Sequence, residues 1–269
     1  MEKESGHVRA LERGLTVLFA LESAGRPVAL GELATAIQLS NATTLRMIAT
    51  LEQYGLIEKS PAGFRLGVAV LPLTHGYLLG NELTLAALPV LQDLAMSTGE
   101  AVSLYVRFGF ERIIIQRVDG PNALRYLYPA GQRLPLHVGT GKVLAAALSK
   151  DELTSFLDVV GDTRFASGEP FSRDKFIAEL KVIRTQGFAT SRNERVMGLA
   201  SVAAPIVNSS GITIAAVSVA GPSDRMPSER LETLSVEIRR AAMVIAEQCS
   251  SKDRPISMQN RMRKSDYTM

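Results

Sequence analysis

Between Asn41 and Arg46 the chain reads Asn-Ala-Thr-Thr-Leu-Arg, which gathers an amide, two hydroxyls and a guanidinium at the start of one short helix. Such groups hydrogen-bond to phosphate oxygens and base edges. An arginine reads guanine through two parallel bonds, and a threonine offers a methyl to thymine or a hydroxyl to phosphate. The preceding Ser40 is a good N-cap, because its hydroxyl takes up an N–H that a helix start leaves unpaired. At about 100° per residue, Thr43, Arg46, Met47, Thr50 and Gln53 fall on one face of the predicted helix Asn41–Tyr54, and Leu45, Ile48, Ala49 and Leu51 on the buried face. Asn41 and Thr44, beside the helix start, suit phosphate contacts.

A second candidate is His137-Val-Gly-Thr-Gly-Lys142, which has the look of a phosphate loop. It lacks the required first glycine, where Leu136 stands, and the hydroxyl after the lysine, where Val143 stands. What remains is a glycine-rich lead into a helix, whose N–H groups and dipole suit a small anion such as a carboxylate. Glycines placed for close packing are the ordinary alternative. Ser172 and Lys175 have the spacing of a serine–lysine nucleophile pair, but Ser172 follows Pro170-Phe171 and opens a helix, so it reads as an N-cap. Ser218 stands alone in the apolar run ITIAAVSVAG. A buried hydroxyl usually bonds nearby backbone, although a single polar group in an apolar pocket also orients a ligand. No Ser/His/Asp set or carboxylate pair is evident, so no catalytic residue is assigned and the chain does not read as an enzyme. His7, His75 and His137 lack metal-ligand spacing; no metal or cofactor is expected.

The elements that hold the first cluster form a compact pattern. Val8 to Glu22 carries Leu11, Leu15, Leu18, Phe19 and Leu21 at helical spacing and ends where Gly25 and Pro27 break it. Leu30 to Ile37 is a second helix, with small Ala34 where another helix crosses closely, and Gln38-Leu39-Ser40 is the turn into the third. Gly55 stops that helix, and LIEKSPAGFRL reads as strand, Ser-Pro-Ala-Gly turn, strand, with Lys59 and Arg65 near its ends. This is a helix-turn-helix with a wing, which places the third helix N-terminus first in a major groove while Lys59 or Arg65 reaches backbone or minor groove. The rival uses are a winged helix that docks proteins and, more remotely, a small hydrolase with a helical N-terminal domain.

Val68 to Ser97 is helical in pattern but interrupted by Pro72 and Pro89, and too leucine-rich for a solvated linker, so a subunit contact is its natural use. Beyond Gly99 the period changes to two. AVSLYVRF, RIIIQRV and ALRYLY are strand candidates, and Gly131–Pro135 reads as a turn. Helices are predicted over Gly141–Leu148, Asp151–Val159 and Ser172–Gln186. Then VAAPIV, an Asn208–Gly211 turn and ITIAAVSVAG form a hairpin, and Ser228–Cys249 is a final amphipathic helix. The order implies an α+β fold: an N-terminal winged helix-turn-helix joined by a helical linker to a GAF-like domain with a mostly antiparallel sheet. The expected divisions are residues 1–67, the linker 68–97, the sensing domain 98–250 and a basic, disordered tail 251–269.

Composition sets the outer bounds. An apolar fraction of 46% marks a globular chain, and the lone Cys249 allows no internal disulfide, which fits a reducing compartment. The N-terminus is charged and no apolar run reaches the about 20 residues a bilayer needs, so no membrane partner and a cytoplasmic location are expected. Net charge says little about DNA. Residues 1–80 carry seven basic and seven acidic side chains, and the tail from Ser251 carries five basic against two acidic, which accounts for the whole +3. Phosphate binding therefore rests on local placement, not on a basic domain.

Six stretches, in order, resemble the IclR family of bacterial transcriptional regulators over nearly the whole chain: VRALERGLTVLFAL; NATTLRMIATLEQYGLIEKS with FRLG; ALPVLQDLAMSTGEAVSLYV; GQRLPLHVGTGKVLAA; GFATSRNERVMGLASVAAPIV; and AVSVAGPSDRM. The resemblance implies a homodimer or homotetramer on palindromic double-stranded operator DNA, with a domain that senses a small organic acid of a catabolic pathway. It also implies an effector site at Gly139 and Thr140, through backbone amides, and at Ser191, Ser201, Ser218 and Ala220. The His137–Lys142 loop is one residue shorter than the family's usual form. Family members that take small keto-acids have Asp, Cys, Ser and Ser at the last four positions, so this chain lacks one carboxylate and one hydroxyl. A pocket with fewer polar groups would favour an aromatic or longer-chain acid.

Overall fold

The computed structural model describes residues 8–122 and 128–249. The chain forms two compact units that divide after Leu78. In the first, α1 (Arg9–Ala24), α2 (Leu30–Ala36) and α3 (Asn41–Gln53) precede the hairpin of β1 (Ile57–Ser60) and β2 (Gly63–Leu66). Gly25 closes α1 in the left-handed conformation, and Ser40 caps α3 by accepting the Thr43 N–H. Val17, Ala20, Leu21, Val28, Leu33, Ile37, Ile48, Ile57 and Phe64 form the core. Leu11 and Leu15 of α1 stay exposed. Val28 and Phe64 exchange both backbone hydrogen bonds at 2.8 Å, so a single residue between α1 and α2 extends the wing sheet.

The linker divides differently from expectation. Pro72 lies in the first turn of α4 (Val70–Gly80), where a missing N–H is tolerated, and Pro89 lies inside α5 (Glu82–Thr98) without ending it. The break falls between them, at Asn81, whose side chain accepts the Thr84 N–H at 3.0 Å and caps α5. α4 buries no residue, whereas α5 buries Leu83, Ala87, Leu91, Leu94 and Ala95. The second half of the expected linker is thus core of the second unit.

That unit is built on six antiparallel strands in the order β5-β4-β3-β8-β7-β6. They are β3 (Ala101–Phe108), β4 (Glu111–Val118), β5 (Arg133–Pro135), β6 (Ala189–Arg192), β7 (Leu199–Val207) and β8 (Thr213–Pro222). Alternation sorts their side chains. Val102, Leu104, Val202, Ala204, Val217 and Val219 pack with α5 and α9 (Ser228–Gln248). Tyr105, Ile114, Ala203 and Ala216 pack with α6 (Gly141–Ala145), α7 (Lys150–Val160) and α8 (Arg173–Gln186). The α+β class expected from the sequence is the class found.

Three local readings change. Arg133–Pro135, read as turn, is a short strand paired with β4, and the turn lies just before it, where Gln132 N–H donates to the Pro129 carbonyl. β6 went unread because its edge sequence Ala-Thr-Ser-Arg is polar. The helix expected to reach Leu148 keeps α-helical form only to Ala145, after which Ala147 and Leu148 bond three residues back. The strand expected at ALRYLY and the tail from Ser251 lie outside the described residues.

Candidate functional site

In the winged unit the cap on α3 is as expected: Ser40 Oγ accepts the Thr43 N–H at 3.3 Å and donates to Thr43 Oγ1 at 3.0 Å. The buried face, however, is rotated by one position. Thr44 and Ile48 are buried, Met47 and Leu51 are half-buried against the core, and Leu45 and Ala49 face solvent. α3 packs against both α1 and α2, and that crossing selects Thr44, Ile48 and Leu51. Thr44 is accepted there because its hydroxyl donates to the Ser40 carbonyl at 3.0 Å, leaving no polar atom unsatisfied. Thr44 is therefore not available to DNA in the way the sequence suggested, and Met47 is half-buried against the core. Asn41, Arg46 and Thr50 are exposed and Thr43 is half-exposed. On the wing Lys59 points to solvent, and Arg65 pairs with its cross-strand neighbour Glu58 at 2.6 Å.

The second unit holds a cavity of about 30 Å³, room for about two waters. Its lining brings together five of the six residues assigned from the family resemblance: Gly139, Thr140, Ser191, Ser201 and Ala220. Ser191 and Ser201 are register partners on β6 and β7, with hydroxyls 2.9 Å apart. Ser218 is fully buried but outside the lining, and its hydroxyl lies beside the Tyr105 phenol and bonds no local backbone.

The most consequential lining residue is one the sequence did not single out. Arg112, on β4, is 2% exposed, and its guanidinium lies 5.4 Å from the centroid of the Tyr105 ring. It donates to the Pro135 carbonyl, its Nε finds no partner, and no ion pair to it is found among the described residues. Burial lowers its pKa to about 10, so it remains a cation at neutral pH. Burial, the largest single influence, would raise the Tyr105 phenol, but the Arg112 charge together with the Ser218 and Ser103 hydroxyls and the Arg195 charge holds it below its ordinary value. Strand parity was the available signal: Arg112 precedes Ile114 by two, on the face opposite Ile113 and Ile115.

Glu194 was missed as well. Its carboxylate accepts the Gly139 N–H at 2.7 Å and pairs with Lys142, which is 2% exposed and also donates to Glu179 at 2.5 Å. The Gly139 amide, expected to be free for an effector, is thus occupied. Glu194, Arg195 and Val196 all line the cavity. With Arg112, Arg195 and Glu194 present, the inference of a pocket poorer in polar groups does not hold. It counted four positions and missed the charges that neighbouring segments supply. Among the described residues no cluster suits a metal ion, and no helix is long and apolar enough to cross a membrane.

Comparison with known proteins follows the same division. A family model for the IclR helix-turn-helix domain matches residues 10–61, and one for the C-terminal domain of the bacterial transcriptional regulator IclR matches residues 75–247. The HTH-type transcriptional repressor AllR of Escherichia coli (strain K12) is 28% identical over 250 residues, 92% of each chain. The crystal structure of a transcriptional regulator from Rhodococcus sp. RHA1 superposes with a TM-score of 0.73 at 30% identity, over 91% of this chain and 99% of that one. An IclR homolog from Microbacterium hydrocarbonoxydans, crystallised with 4-hydroxybenzoate, superposes with a TM-score of 0.72 over 89% of this chain and 98% of that one. Its 22% identity makes it a likeness of fold alone.

Proposed function

The chain belongs to the IclR family of bacterial transcriptional regulators, and from that premise we propose that its second unit reads a small organic monoanion through Arg112 and thereby controls operator binding by α3 and the wing. Its relatives are DNA-binding regulators and not enzymes. The observation that carries the effector class is Arg112, a buried cation without an ion pair among the described residues. Arg112 Nε and Thr140 Oγ1, both in the lining, are buried polar atoms without partners, which points to a polar occupant. Around them three cations, Arg112, Lys142 and Arg195, meet two carboxylates, Glu179 and Glu194. One added carboxylate balances the set. Ser191, Ser201 and the Thr140 hydroxyl then bond the rest of the ligand.

An aromatic acid is supported by the 4-hydroxybenzoate complex of the Microbacterium homolog. The present cavity is too small for a ring, so such a ligand enters only with a shift of the segment that carries Val196. On the DNA side Asn41, Thr43, Arg46, Thr50, Lys59 and Arg65 are the proposed contacts. Pairing of two or more copies supplies the affinity that a neutral half-site reader lacks. The exposed apolar side chains around α4, among them Leu71, Leu73, Tyr77 and Leu79, suit that contact. Binding to the promoter region of the chain's own gene tests the reading. Affinity should fall linearly in log–log form with salt, and titrating monocarboxylic acids should change it. If neither salt nor any such acid alters binding, the reading is wrong.

A further inference from the structure

A carboxylate already sits in the pocket. One oxygen of Glu194 accepts the Gly139 N–H at 2.7 Å and the other receives Lys142 Nζ, which also donates to the Thr190 carbonyl at 3.0 Å. A backbone amide and a buried ammonium, beside a guanidinium without an ion pair, is how a protein holds a ligand carboxylate. Here the anion is supplied by the chain itself. Yet with Glu194 in place Arg112 Nε and Thr140 Oγ1 stay unsatisfied. The internal carboxylate therefore fits the site incompletely, and a free anion has bonds to gain that Glu194 does not make.

Glu194 stands on a segment between β6 and β7 whose backbone is held at both ends, where the Asn193 N–H donates to the Leu199 carbonyl and the Ser223 N–H to the Gly198 carbonyl, so that its side chain can move without the backbone. Asn193, at φ 57, receives the Gly198 N–H on its side chain at 2.7 Å. The Ala166 N–H donates to the Glu194 carbonyl at 2.7 Å, and the Ser167 N–H to the Asn193 carbonyl at 3.1 Å. Glu194 is 17% exposed at its side chain, so it reaches both pocket and solvent.

We propose that Glu194 is the internal occupant of an anion subsite formed by the Gly139 N–H, Lys142 and Arg112, and that a free monocarboxylate binds by exchanging with it. This rests on reading the pocket as the effector site. Carboxylate replaces carboxylate at the amide and at Lys142, so those bonds are conserved. The net gain comes from Arg112 and Thr140. The exchange also sets a threshold, because a ligand must outcompete a tethered group, and it releases the Glu194 side chain from the Gly139 amide and Lys142.

The test uses the full chain with Glu194→Ala and the isosteric, neutral Glu194→Gln. Sodium acetate and sodium benzoate serve as probes, with sodium chloride at matched ionic strength as control. Thermal-shift midpoints for acetate should move to concentrations lower by about tenfold in Glu194→Ala, since removing a competitor worth about 1.4 kcal/mol does so. Glu194→Gln should shift in the same direction, and it serves if the alanine variant does not fold. Equal or weaker acetate and benzoate binding in both variants overturns the exchange. Failure of the effector reading looks different. If acetate binds the variants more tightly but no acid alters operator binding in the wild type, the subsite exists and does not control DNA. If acids release the operator but the Glu194 variants bind acetate no better, the effector reading stands and the exchange falls.

Discussion

Arg112 and Tyr105 lie on neighbouring strands, β4 and β3, and face the same side of the sheet, with the guanidinium carbon 5.4 Å from the ring centroid. The ring's negative face offers the cation compensation beyond what the Glu194 charge supplies without an ion pair. The pair therefore holds a charge in the interior that an incoming anion completes.

Replacing Arg112 with Met tests that arrangement. A charge-assisted hydrogen bond is worth about 1.5–3 kcal/mol, so the acid concentration that half-releases the operator should rise at least about tenfold. Because the lost charge is buried without an ion pair, the unliganded variant should melt no lower than the wild type. Wild-type sensitivity to the acid in Arg112→Met would sink the proposed role.

On α3 the rotated face separates two neighbouring threonines. Arg46→Ala should cost about 1–3 kcal/mol of operator affinity and relax preference at one base pair. Thr44→Val should leave operator affinity within about twofold of wild type, because Thr44 is buried and its hydroxyl serves only the Ser40 carbonyl. Competition binding against single-base operator variants reads both. A larger loss in Thr44→Val than in Arg46→Ala would mean that the helix docks on its other face.

Gly63 opens β2 at φ 129, a value L side chains rarely adopt, and a Cβ there would meet the Val28 carbonyl. Gly63→Ala should destabilise the winged unit by about 1–3 kcal/mol and weaken operator binding as the wing moves. Denaturant titration checks the first and operator titration the second. A variant as stable as wild type would show that the wing tolerates the displacement.

Acid should act on the start of α7 through Glu152. Burial alone would raise this carboxylate, but the Ser149 N–H at 3.0 Å and Arg107 at 2.9 Å hold it below its ordinary value. A depressed carboxylate adds stability that is present above the unfolded pKa and disappears as pH falls through the folded one. The stability gap between wild type and Glu152→Gln should therefore be full at neutral pH and close below about pH 4, near the unfolded value for Glu. A gap that persists unchanged into that acid range would assign the effect to packing instead.

Much of this molecule could be read from local sequence because its causes are local. Ser40 before Asn41, Ser172 before Arg173 and Gly55 after Tyr54 act within one turn of chain, and each sits where its chemistry requires. The Asn208–Gly211 turn is equally local: Asn208 accepts the Ser210 and Ile212 N–H groups on its own side chain. Strand parity and the family resemblance carried the reading further, to a sheet domain and to five cavity residues on four separated segments.

What stayed hidden depends on partners distant in sequence. Helical periodicity in α3 fixes the spacing of an apolar stripe but not its phase to within one residue. The crossing with α1 and α2 chose Thr44 over Leu45, and a bond within the helix made a hydroxyl acceptable in the core. Pro89 looked like a break until α5 was seen to lie on the sheet, whose packing outweighs one missing hydrogen bond. Arg112 and Glu194 were not singled out: parity puts Arg112 on the face of Ile114 but does not say that this face is covered, and nothing local brings a carboxylate across fifty-five residues to an amide. The sequence alone thus determined most of the elements, the α+β class and, through its resemblance, the family. Tertiary structure alone decided which face of α3 is free and that the cavity beside β4 holds both a buried cation without an ion pair and a carboxylate of its own, since burial and electrostatics arise only when separate segments meet.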